Sequence, residues 1–211
     1  MLRRSFILVL ALCAFLAAPC RGQDHWQEQA RRLAALLDWH EGSVVAEIGA
    51  GDGRLTLLAA QRVGASGKVY TTELDSAALA RLEDLAAKEK NISVVKAGET
   101  ETNLPPACCD SLFMRLVYHH LTKPAEIDAS LFRSLKPGGR LAVIDQEPVE
   151  GSSVPEGVPK NRGGHGIPQN ILVSELAAAG FEVETVQKDW PERSKQHLFY
   201  CVLFRKRKPK D

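Results

Sequence analysis

The sequence has almost no surplus of charge. Its 27 Lys and Arg face 26 Asp and Glu, a formal net charge of +1. No basic field therefore marks nucleic acid as the main partner. Cysteine is sparse, at five residues, and no CxxC or paired-histidine spacing occurs. The patterns that usually announce a structural zinc or a redox pair are missing, so no metal is expected. No apolar run reaches the ~20 residues of a membrane-spanning helix. Neither an internal repeat nor an interdomain linker is visible. What remains is 211 residues, 45% hydrophobic and 25% charged, enough for one domain with a full core.

The N-terminus stands apart. Arg3 and Arg4 precede an unbroken apolar run, Phe6–Ala18, of about 13 residues, the length of a signal h-region. Pro19 ends the run, and Cys20-Arg-Gly22 offers small residues where a signal peptidase reads. Residues 1–22 are expected to be a signal peptide and 23–211 a single domain, exported to a periplasm or secreted. An uncleaved membrane anchor is the alternative; a lipidated Cys20 is disfavoured by Pro19. Loss of Arg3, Arg4 and Arg21 would leave a formal charge of −2. Cys108, Cys109 and Cys201 are read as separate, small core residues on strands.

From Gln23 onward, helical and strand patterns alternate. Trp26, Ala30, Leu33 and Leu37 make a helical stripe. Strands are expected at 44–48, 68–73, 92–96, 111–115 and 140–145. Helices are expected at 54–62, from Ala77 to about Lys90 with Ser76 as cap, at 124–135 behind Pro124, and at 168–180 before Gly180. Lys136-Pro137-Gly138-Gly139 reads as a sharp turn. FEVETVQKDW and HLFYCVLFRK alternate apolar and polar residues without a crossover helix between them. The fold class is therefore α/β: a Rossmann-like, seven-stranded doubly wound sheet, mostly parallel, with an antiparallel C-terminal hairpin strand. Residues 146–166, with three Pro and five Gly, form an unusually long loop without periodicity. Such loops are either binding lids or surface excursions.

EIGAGDGRL, residues 47–55, places glycines at alternate positions after the first strand. A dinucleotide fingerprint fails, because Arg54 or Thr56 stands where its last glycine belongs. A phosphate loop fails because no lysine follows. Acids surround the loop instead. Glu47 precedes it, Glu73 ends the second strand, and Glu99 follows the third. Such a site repels pyrophosphate and suits a ligand with a ribose and a positive centre.

AEIGAGDGRLT, VYTTELD, KAGETETNLP, FMRLVYHHL and SLKPGGRLAVID, in this order, resemble the class I S-adenosylmethionine-dependent methyltransferases, in the methyltransferase-11/UbiE-like group. The resemblance covers residues 26–204. It implies S-adenosyl-L-methionine as cofactor. Glu47, Gly49, Gly51 and Gly53 would hold its methionine part, with Arg115 beneath. Glu73 would hold the ribose, Leu74 would lie beside the adenine, and Glu99 and Thr100 near the adenine amine. The segment up to Leu104-Pro105 is one residue longer than the family's, which makes Glu101 a rival to Glu99.

The implied reaction is in-line displacement of a methyl group onto an unidentified small-molecule acceptor. His119, His120 and His165 are the candidate catalytic bases. Packing of the loops is the competing reading for each, since adjacent histidines are not expected to point the same way. Asp145 ends the fifth strand, where it can support the loop. Arg162 is read as a solvated loop residue rather than a partner for an acidic acceptor. RKRKPKD at the C-terminus is read as a solvated tail, with weak contact to anionic lipid or nucleic acid as the alternative. Export conflicts with a cofactor made in the cytosol. The second functional reading is accordingly an exported, non-catalytic ligand-binding protein that kept the fold. The sequence leaves the oligomeric state open.

Overall fold

A computed structural model describes residues 21–191 and 198–208. Of the expected signal segment, residues 1–22, the first twenty lie outside the described residues, and Arg21 and Gly22 open α1. The elements follow in the order α1 (Arg21–Leu37), β1 (Val44–Ile48), α2 (Arg54–Val63), β2 (Lys68–Glu73), α3 (Ser76–Lys88), β3 (Ile92–Lys96), β4 (Cys109–Arg115), α4 (Pro124–Ser134), β5 (Leu135–Gln146), α5 (Gln169–Ala178), β6 (Phe181–Gln187) and β7 (Phe199–Lys206). Among the described residues no helix is long and apolar enough to cross a membrane.

The seven strands form one sheet in the order β3-β2-β1-β4-β5-β7-β6. β1 to β5 pair in parallel, and β7 runs antiparallel between β5 and β6. This is the expected doubly wound sheet with a hairpin at one edge. Strand order reverses beside β1, whose neighbours are β2 and β4. That reversal opens a crevice at the carboxyl ends of the strands.

Alternation of side chains divides the core between two faces. On β4, Phe113 joins the cluster under α1 and α2, with Leu33, Leu37 and Ala59. Its neighbours Leu112 and Met114 face the opposite cluster, with Leu131, Leu172 and Leu176 of α4 and α5. Both faces are covered, which is why the central strands read as near-continuous apolar runs.

Several local readings are corrected. The cap of α3 is Asp75, whose carboxylate accepts from the Ala78 N–H at 2.8 Å; Ser76 is already helical. Lys136–Gly139 lies inside β5, where the pairing with β4 shifts register between Cys109 and Ser111. Cys108 and Cys109 are disulfide-linked rather than separate thiols, while Cys201 is free and buried on β7. Most of the basic run 205–211 that is described is tied to the fold. Arg205 pairs with Glu184 and Arg207 with Glu182, and Lys206 Nζ donates to the Phe132 and Leu135 carbonyls at 2.6 and 2.8 Å. Burial also holds the Lys206 ammonium below its ordinary pKa.

The 146–166 loop is ordered by specific contacts. The Ile167 N–H donates to the Gln146 carbonyl at 2.9 Å and joins the two ends. Arg162 lies fully buried in a single 3-10 turn, Lys160–Arg162, and its guanidinium meets Glu175 of α5 at 2.7 and 2.9 Å. Tyr118 donates to Asp128 at 2.8 Å and to Glu175 at 3.1 Å, completing a buried polar network. The solvated reading of Arg162 fails because the loop folds back over α5.

Candidate active site

The glycine loop is shaped by left-handed backbone. Gly49, Gly51 and Gly53 have φ of 68°, 58° and 74°, a region that costs other residues about 1–2 kcal/mol. The reasons differ by position. A Cβ on Gly49 would lie 2.6 Å from Val117, and one on Gly53 would lie 2.8 Å from Leu82. A Cβ on Gly51 would meet nothing within 4 Å, so Gly51 borders open space. β2 fixes the loop: the Thr72 carbonyl accepts from the N–H groups of Gly49 and Ala50, both at 3.0 Å. The Glu73 carboxylate accepts from the Gly51 N–H at 3.0 Å and the Leu74 N–H at 2.7 Å. Its remaining lone pairs stay available to a diol.

Two cavities meet at Gly49. One, of about 260 Å³, is lined by Trp26, Glu47, Gly51, Asp52 and Arg115. The other, of about 230 Å³, is lined by Glu73, Leu74, Glu99, Thr102, Val117 and His120. Two larger concavities, of about 570 and 630 Å³, lie along α1 and α2 and near the amino ends of β2 and β3. They lack convergent acids and are remote from the switch point, so size does not mark the site here.

Glu47 is buried and accepts from Thr56 Oγ1 at 2.5 Å. Desolvation pushes its carboxyl up to about 8, against the opposing pull of the Thr56 hydrogen bonds and Arg115. Trp26 escaped the sequence reading, which placed it in a core stripe. Its ring lies under two guanidinium groups, 4.7 Å from Arg115 and 5.5 Å from Arg54. An aromatic residue at the start of an amphipathic helix was the available signal.

The expected residues do not all reach a cavity. Gly53 caps α2 and packs on α3 rather than lining either space. Thr100 is exposed and outside the lining, and Thr102 stands in its place. Glu101 is taken up by Arg133 at 2.5 Å on the surface, which leaves Glu99 as the acid beside the cavity.

The three histidines converge. Tyr118–His120 is a 3-10 turn, and this turn gathers His119 and His120 with ring centroids 4.0 Å apart. His165 approaches them at 4.8 and 5.2 Å. Adjacent histidines thus do share one cluster, against expectation. His119 is buried; its Nδ1 meets Asp145 Oδ1 at 2.6 Å and its backbone N–H donates to Oδ2 at 3.1 Å. Asp145 therefore supports a histidine as well as the loop. His120 is exposed on one side, but desolvation of the other, then His119 and His165, hold its pKa below the ordinary value. Gly164 and Gly166 flank His165. Added Cβ atoms there would lie 2.9 Å from the Val149 carbonyl and 2.7 Å from the Glu147 carbonyl, so the chain beside His165 is pressed against 147–152.

A sheet of this order, with a glycine loop after β1 and acids on β1, at the end of β2 and after β3, has the α/β Rossmann-like fold of the class I S-adenosylmethionine-dependent methyltransferases. Over about half its length the chain resembles the methyltransferase-11/UbiE-like group of that class. Residues 46–143 match the family model described as a methyltransferase domain. The ubiquinone/menaquinone biosynthesis C-methyltransferase UbiE of Marinomonas sp. (strain MWYL1) is 29% identical over 107 residues, 49% of this chain and 43% of that protein. The chain thus spans less than half the length of this curated relative. A SAM-dependent methyltransferase from Aquifex aeolicus superposes with a TM-score of 0.66 at 24% identity, covering 83% of this chain and 88% of that one. Haemonchus contortus phosphoethanolamine N-methyltransferase 2, solved in complex with S-adenosyl-L-methionine, superposes at 0.67 and 17% identity, over 86% of this chain and 53% of that one.

The residues present fit S-adenosylmethionine. Glu73 has acceptor capacity for ribose hydroxyls, Gly51 leaves room for close approach, and the Glu47 carboxyl and Arg115 line one cavity.

Proposed function

We propose that the protein transfers a methyl group from S-adenosylmethionine to a small-molecule acceptor. The observation that carries this reading is Glu73, poised at the switch point with two backbone N–H groups fixing its carboxylate and a cavity on either side of the loop it holds. The bound sulfonium supplies an already activated methyl group. The chain's part is then alignment and exclusion of water. Glu73 and Glu99 bind and orient through hydrogen bonds. Glu47, protonated in the free chain and ionised when the cationic ligand binds, and Arg115 line the other end. The acceptor enters on the side of His120, which lines the cavity next to Val117.

The N-terminal apolar segment supports an exported or anchored protein that meets its cofactor outside the cytosol or carries it there. Calorimetric titration of S-adenosylmethionine into the full chain tests the function. Micromolar binding, weakened about a hundredfold by Glu73→Ala (~3 kcal/mol for charge-assisted hydrogen bonds), is the expected result. A folded chain that binds no S-adenosylmethionine would sink the reading in favour of a non-catalytic binding protein.

A further inference from the structure

We propose that His119, His120 and His165 bind one divalent transition-metal cation of the zinc class. Their ligating nitrogens all lie within 4.8 Å of one another. Three nitrogens around a tetrahedral zinc, at about 2.0–2.1 Å from the metal, stand ~3.4 Å apart. The difference is closed by rotation of the exposed His120 and half-buried His165 side chains; His119 stays fixed.

His119 supplies the independent observation. It is 1% exposed, and its Nε2 is buried without a hydrogen-bond partner. Its Nδ1 faces Asp145, which also accepts the backbone N–H groups of His119 and Gln146. A carboxylate already accepting two N–H groups requires Nδ1–H from the ring. Nε2 is then left as a lone pair with nothing to receive it. A buried polar atom without a partner is destabilising. A cation at the centre of the three rings removes that cost, and a carboxylate behind a ligating histidine is the usual arrangement that fixes ring and tautomer.

The second half of the cluster is also built. The His165 N–H donates to Ser152 Oγ at 2.7 Å, and its carbonyl accepts from the Val149 N–H and Gln146 Nε2, both at 3.2 Å. The loop is therefore fixed to the β5 end that carries Asp145. Among the described residues no cysteine or carboxylate joins the set within ligand range. An all-imidazole set suits zinc, copper or nickel rather than magnesium or calcium. Three protein ligands leave a fourth position open, as in catalytic zinc sites. His120 also lines the Glu73–Glu99 cavity. On the methyltransferase reading, the open position would bind an acceptor oxygen or sulfur and favour its deprotonated form.

The test uses the untagged full chain, stripped with a chelator and titrated with Zn²⁺ by calorimetry and with Co²⁺ by visible absorption. One Zn²⁺ per chain and a tetrahedral Co²⁺ spectrum are expected. His165→Ala should weaken Zn²⁺ binding at least tenfold, and Asp145→Asn should weaken it 10- to 100-fold. His40→Ala, on an exposed histidine outside the cluster, should leave it unchanged. No stoichiometric binding, or equal affinity in His165→Ala, would overturn the proposal and return the histidines to proton relay or loop packing. Circular dichroism screens each variant for folding; if Asp145→Asn does not fold, His120→Ala on the exposed ring decides instead. S-adenosylmethionine titration of the same stripped sample separates the two claims. Cofactor binding without metal binding overturns only this inference.

Discussion

The crevice has two halves, and they are assembled differently. The half around β1, β2 and β3 takes its groups from short stretches of the strands and the turns that follow: Glu47 on β1 and Gly49–Gly53 after it, Glu73 at the end of β2, Glu99 after β3. The half around β4 and β5 unites a 3-10 turn, a strand end and a loop residue 45 positions beyond His120. In the first half local backbone fixes the acids and the loop, and sequence spacing shows it. In the second, side chains meet only because a long loop returns. Local motifs thus build the Glu73 side of the crevice, and tertiary closure builds the histidine side.

The sharpest break of this comparison is Arg162→Ala. It removes a guanidinium buried between α5 and the loop and strands Glu175 and Asp128. Breaking a buried ion pair from one side costs about 3–5 kcal/mol. Thermal unfolding should show a large drop in Tm. If the halves are independent, the variant that still folds keeps its S-adenosylmethionine affinity.

Gly51→Ala probes the other half. Nothing within 4 Å obstructs the new methyl group, so its cost is the positive φ alone, about 1–2 kcal/mol. Cofactor affinity should fall about ten- to thirtyfold as the loop shifts. An unchanged affinity would show that the loop tolerates relaxation when a ligand binds.

The pH response of Glu47 comes next. Its folded pKa, about 8, lies above the ordinary 4.5. Between these values the unfolded chain has lost the proton and the folded chain retains it. Stability from this group is therefore full below about 4.5 and declines as pH rises towards 8. A cationic ligand beside the carboxylate favours its charged form, so S-adenosylmethionine binding should release a proton near neutral pH. Affinity should rise with pH by up to about tenfold per unit before levelling near 8. Titration in buffers of different ionisation enthalpy counts the proton, and Glu47→Gln should abolish both effects.

The smallest expected effect separates two neighbouring acids. Glu99→Ala should weaken cofactor binding by about 1 kcal/mol, the worth of one hydrogen bond. Glu101→Ala should leave binding unchanged and cost at most ~0.5 kcal/mol of stability, because its partner Arg133 is half exposed. The reverse outcome would restore Glu101 as the adenine contact.

The sheet was legible because its strands are short apolar runs separated by turn residues. Even the antiparallel β7 was visible in the alternation of HLFYCVLFRK. What misled was chemistry with more than one local solution. Asp75 and Ser76 are both good caps, and only the backbone decides between them; Asp75 is extended and Ser76 helical. Lys136–Gly139 carries turn residues but continues β5 because β4 pairs across the register shift. Thr100 and Thr102 are equivalent by type, and the path of the chain after β3 puts Thr102 against the cavity. The histidine cluster left no motif at all. His165 is fixed by Ser152 and the glycines beside it, none of which has a spacing that points to His119. Arg162 looked solvated because its partner Glu175 lies on a helix read as an independent element.

The hydrogen bond between the Ile167 N–H and the Gln146 carbonyl has a consequence for inheritance as well as for packing. It joins the ends of a twenty-residue excursion, so the sheet meets that excursion as if it were a two-residue connection. Exchange of the rest of the loop, with the Arg162–Glu175 pair kept, would leave strand register untouched. On the reading proposed above, acceptor choice would be a detachable property, free to change with the loop while the Glu73 side of the crevice stays as it is.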